Sequence, residues 1–125
     1  MDELLRQAME PVLRDLRGAG LVVPRIEDHD WADHPDVVSV MVWSPDGSGT
    51  GVSVSRSAPL YDRVAAMADQ VQEWAIEELW GRASTSWPEC PRHPDSHPMR
   101  ATVRDDVAVW SCPADGTPFS EIGAL

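Results

Sequence analysis

Residues 87–98 read Trp-Pro-Glu-Cys-Pro-Arg-His-Pro-Asp-Ser-His-Pro, and residues 110–116 read Trp-Ser-Cys-Pro-Ala-Asp-Gly. Both cysteines of the chain, Cys90 and Cys112, lie in these two runs, together with His93 and His97. Thiolate and imidazole are the donors a zinc ion takes most readily, and four of them complete a tetrahedral shell. A Cys-x2-His pair can face one ion from a tight turn, and Pro91, with its fixed φ, favours such a turn. Cys112 must then come back to Cys90. Met99 to Arg104 and Val107 to Cys112, around Asp105-Asp106, are patterned as a hairpin that would carry it there. The stretch reads as a metal site that staples the C-terminal third of the chain.

The two halves share one form, Cys90-Pro-Arg-His93 and Cys112-Pro-Ala-Asp115. In this they resemble a zinc ribbon, in which two Cys-x2-Cys turns are joined by a spacer. The resemblance covers residues 87–116, and the interval 94–111 fits the spacer. His93 stands where the second cysteine of the ribbon would be, and Asp115 where the fourth would be. What the resemblance implies is one structural zinc ion. Cys90, His93 and Cys112 are its first three candidate ligands, and the fourth is His97 or Asp115. Structural zinc sites are mostly sulfur and nitrogen, which favours His97. Asp115 would then orient a ligand histidine from outside the shell. Two other readings compete: a chance gathering in a proline-rich loop, and a Cys90–Cys112 disulfide, which needs an oxidising compartment.

Composition bounds the rest. With 125 residues, 42% of them hydrophobic, and six tryptophans, the chain can build a core. The start, Met-Asp-Glu-Leu-Leu-Arg, is not that of a signal peptide, and no run approaches membrane-spanning length, so a cytoplasmic protein is expected. The net charge is −11, every basic residue is arginine, and lysine is absent. That removes Schiff-base chemistry and the phosphate-loop lysine. It also argues against nucleic acid and anionic membranes, whose phosphates the surface would repel. Another protein, basic in character, is the expected partner; the plain alternative is that the acidity serves solubility.

The order of elements follows from periodicity. Residues 2–17 carry Leu5, Ala8, Met9, Val12, Leu13 and Leu16 at helical steps, ended by Gly18 and Gly20, with a kink expected at Pro11. Leu21 to Ile26 reads as an edge strand containing Pro24. Val37–Trp43 and Gly51–Arg56 alternate as a hairpin around Ser44-Pro-Asp-Gly47. Gly47, Gly49 and Gly51 lack the following helix and lysine of a phosphate loop. Residues 59–80 form the strongest helix, with Ser57 as the expected N-cap and a face of Leu60, Val64, Met67, Val71, Trp74 and Ala75. That face belongs to the core or is shared with a second copy in a homodimer.

Between helix and metal stretch, Arg82 to Ser86 read as a hinge. His29 and His34, among acids in residues 27–36, are weighed as a second metal site and set below a solvated loop. Trp80, Trp87 and Trp110 are read as shielding the metal lobe rather than gripping a ligand. The tail from Gly116, with Phe119, Ile122 and Leu125, is expected to pack.

The expected architecture is therefore α+β: helix, three-stranded sheet and helix over residues 1–81, then a zinc-ribbon-like β-hairpin lobe over residues 87–125. In outline this order resembles the double-stranded-RNA-binding domain, which the charge contradicts, and the secretion-chaperone-like fold. Order alone carries little functional weight. The favoured function is a non-enzymatic, zinc-stabilised protein-interaction module. One alternative is a zinc hydrolase with three protein ligands and a water, in which Asp115, Glu89 or Asp95 serves as base. The other is an acidic inhibitor, immunity-type or chaperone-like protein that binds a basic partner.

Overall fold

The computed structural model describes residues 1–80 and 86–125. Over these residues the protein is α+β, with two helices and two small antiparallel three-stranded sheets. The expected hinge at 82–86 lies outside the described residues except for Ser86.

Helix α1 spans Glu3–Gly18. The Asp2 carboxylate caps it by accepting the Leu4 N–H at 2.9 Å, with Glu3 in the first turn and Arg17 in the last. The predicted stripe is the buried face, joined by Asp15. A single helix passes through Pro11, whose missing N–H leaves the Gln7 carbonyl without its helical donor.

The first sheet has the order β1-β2-β3, from Arg25–Asp28, Val37–Trp43 and Gly49–Ser55. Its central register pairs Val38 with Val54 and Val40 with Val52, so the valines share the buried face. The first strand begins later than Leu21. Pro24 has no N–H to give a ladder, and pairing starts just beyond it, at Arg25 opposite Trp43. The β2–β3 turn closes through Gly47 N–H to the Ser44 carbonyl, with Gly47 at φ 92°. Gly49 and Gly51 answer to packing: a Cβ at Gly49 would lie 2.6 Å from the Trp43 ring, and one at Gly51 2.8 Å from Trp31.

Helix α2, Leu60–Leu79, packs on α1 and touches both sheets. Ser57 is not its N-cap. Pro59 holds that position without a side-chain cap, and the Ser57 hydroxyl bonds Asp36 instead.

The second sheet has the order β4-β5-β6, from Arg100–Arg104, Val107–Ser111 and Pro118–Glu121. Asp105 and Asp106, both at positive φ, make its tight turn. The expected hairpin is thus a three-stranded sheet, because the tail adds β6 beside β5 across a bulge at Trp110/Ser111. One core runs through both sheets and both helices, and it includes Trp87, Cys90, Met99, Trp110 and Cys112. Among the described residues no helix is long and apolar enough to cross a membrane.

Candidate metal centre

The first half of the centre is built locally. His93 N–H donates to the Cys90 carbonyl at 3.1 Å, and Ser96 N–H to the His93 carbonyl at 3.1 Å. These two successive turns bring Cys90, His93 and His97 to one side of the loop. The loop's base is closed by Met99 N–H to the Pro88 carbonyl at 2.7 Å and by a bridge between Glu89 and Pro98. The second half follows β5. Gly116 N–H donates to the Cys112 carbonyl at 2.8 Å and Cys112 N–H to the Thr117 carbonyl at 2.9 Å. Gly116, at φ 78°, permits that reversal.

β5 delivers Cys112 to the first loop. Cys90, His93, His97 and Cys112 each bring one ligand atom into a single cluster, and these atoms all lie within 4.8 Å of one another. His93 Nδ1 stands 3.8 Å from Cys90 Sγ, 3.7 Å from Cys112 Sγ and 3.2 Å from His97 Nε2. A tetrahedral zinc shell with ordinary bond lengths has edges of about 3.3 Å between nitrogens and about 3.5 Å between nitrogen and sulfur. The three separations involving His93 lie close to those edges and the remaining pairs lie within 4.8 Å, so the donor set is compatible with a metal ion.

Both thiols are free and fully buried, whereas the imidazoles are half-buried and close the solvent side. The His97 Nδ1 lies 3.1 Å from the Pro98 carbonyl. A carbonyl only accepts, so Nδ1 carries the proton and Nε2 presents its lone pair to the cluster. The two rings are tilted by 48° with centroids 4.9 Å apart.

Asp115 stands outside the group of four. Its carboxylate accepts the Thr117 N–H at 2.9 Å and pairs with Arg92, which links the two turns across the surface. The Thr117 backbone and hydroxyl, aided by Arg92, hold its pKa well below the usual carboxylate value. Glu89 and Asp95 are exposed and are likewise not in the cluster. His29 and His34 border a cleft with Asp28, Asp30 and Asp33. They join no metal-holding group among the described residues, and His34 Nδ1 accepts the Asp36 N–H at 3.1 Å.

The tryptophans divide. Trp87 and Trp110 are buried edge-to-face, with centroids 5.7 Å apart, beside the two cysteines in sequence. Trp80 is 64% exposed. Sequence reasoning overlooked Gln72, a buried residue of α2 whose amide donates to the carbonyls of Trp87 and Met99, the two residues flanking the metal loop. The available signal was an amide on the buried side of an apolar helix, where an unpaired polar group would be costly. The chain matches no family model, no curated protein and no solved structure.

Proposed function

We propose that Cys90, His93, His97 and Cys112 hold one structural zinc ion, and that the protein is a non-enzymatic, zinc-stabilised interaction module. The observation that carries this reading is a four-donor group of two thiols and two imidazoles whose spacing suits a closed tetrahedral shell. With all four places taken by protein, no position remains for a reacting water, which sets this reading above a three-ligand hydrolase. A zinc ion so held supplies cross-linking and folding free energy. The chain's residues do the remainder. The buried thiols set the loop against the core, Pro98 orients His97, and Gln72 ties the loop's base to α2. The likeness to a zinc ribbon and a protein partner are parts of the same proposal. So is an intracellular setting, where buried thiols stay reduced.

Metal content decides it. Protein purified without added metal or a metal-binding tag should carry about one equivalent of zinc. Cys90→Ser/Cys112→Ser should carry none and lose the second sheet. Stoichiometric zinc in that variant, or a metal-free wild type of equal stability, would overturn the assignment.

A further inference from the structure

A groove of about 410 Å³ runs between the C-terminal half of α2 and the metal loop. Its apolar lining comes from Ile76, Trp80, Pro98, Met99 and Pro113, and His97 stands in its loop-side wall. Along the helical edge stand Asp69, Glu73 and Glu77, all exposed and none in an ion pair among the described residues. Among the described residues the lining contains one cation, Arg100, on the lobe side.

The spacing of the acids selects an occupant. Residues four apart on a helix are separated by about 6 Å along its axis. Side chains on one side of an extended strand repeat at about 6.6 Å. Basic groups at alternate positions of an extended segment therefore fall in step with Asp69, Glu73 and Glu77. The intervening side chains point the opposite way, towards Pro98 and Met99. Arg100 repels the reversed placement, in which basic groups would face the lobe. The net charge of −11 draws a basic segment towards the surface in the first place.

We propose that this groove binds an extended segment of another protein in which arginine or lysine alternates with large apolar residues. The proposal deepens the interaction-module reading and rests on it, because the metal loop forms one wall of the groove.

The test uses the zinc-loaded full chain and two synthetic hexapeptides of equal composition, Arg-Leu-Arg-Leu-Arg-Leu and Arg-Arg-Arg-Leu-Leu-Leu, both blocked at their ends. Amide chemical shifts map the site and a titration gives the affinity. The alternating peptide should shift Ile76, Trp80, Met99 and Arg100 and bind about tenfold tighter than its isomer. Glu73→Lys/Glu77→Lys should weaken it by about tenfold or more while zinc content and melting temperature stay at the wild-type values. Equal affinity for the two isomers would reduce the effect to bulk charge and overturn the proposal. Shifts confined to another face, or indifference to the charge reversal, would do the same. Failure of the metal reading is seen separately, in the zinc content of the same sample.

Discussion

The indole N–H of Trp110 donates to the carboxylate of Asp15 at 2.8 Å, both groups buried and 95 positions apart in sequence. The same carboxylate accepts the backbone N–H of Gly123 at 2.7 Å and that of Leu125 at 3.1 Å. One side chain of α1 thus holds the strand that leads into Cys112 and the tail that follows it. A buried carboxylate is tolerable here because three donors satisfy it.

Asp15→Ala should therefore cost about 2–4 kcal/mol, since it leaves an indole and two amides without their acceptor. Asp15→Asn should cost less, as one oxygen remains to accept. Urea unfolding of the two variants checks the order. A loss below about 0.5 kcal/mol for the alanine variant would show that the donors find other partners.

Ligand substitutions should rank by membership of the group of four. If the proposed zinc is held there, Cys90→Ser, Cys112→Ser and His97→Ala should each lower the melting temperature markedly and abolish stoichiometric zinc, because structural zinc contributes folding free energy directly. Asp115→Ala should shift it only slightly, since that side chain is exposed and joins Thr117 and Arg92. A large loss for Asp115→Ala with a small one for His97→Ala would exchange their roles.

Acid sensitivity should include a contribution from Asp36. Its carboxylate accepts from the Ser55 hydroxyl at 2.7 Å and from the Ser57 hydroxyl and N–H at 3.0 and 3.1 Å, which together lower its pKa. A folded-state pKa below the unfolded value of about 3.9 gives stability that is complete above that value and lost as pH falls through the folded one. The stability difference between wild type and Asp36→Asn should be constant above about pH 5 and shrink below about pH 4. Taking the difference removes the protonation of the four candidate metal donors, which both chains share. A difference unchanged down to acid unfolding would rule the contribution out.

Gly49→Ala and Gly51→Ala should differ. The Cβ at 49 meets two Trp43 ring atoms at 2.6 and 2.8 Å and the Met41 methyl at 2.9 Å. Trp43 is constrained from elsewhere as well, with Arg25 stacked 5.6 Å from its ring centroid. The Cβ at 51 meets Trp31, a 42% exposed side chain that can swing away by giving up its bond to the Val40 carbonyl. Gly49→Ala should lose about 1–3 kcal/mol and Gly51→Ala less, as measured by chemical unfolding. Equal losses would mean that backbone freedom, not the ring contact, sets the cost.

Much of this was readable from residue order. The stripe of α1, that of α2 apart from Leu60, which is exposed in the first turn, and the alternation of β2 and β3 survive because each element buries one face, and burial imposes a period of about 3.6 or 2 on the residues themselves. The Cys90–His93–His97 run was readable for a related reason: a donor every three or four residues in a proline-set loop can converge through local turns. The tertiary structure decided what depends on distant segments meeting. β6 carries little pattern of its own, with Ser120 half-buried among exposed neighbours, and it is a strand because β5 offers an edge. His97 rather than Asp115 stands in the candidate group of four, and the Asp115 carboxylate is held by Thr117 and Arg92. Asp15 and Gln72 look like misplaced polar residues on apolar helix faces until the chain folds back. Their donors and acceptors then arrive from residues 87 to 125, and only the closed fold brings those groups within hydrogen-bonding distance.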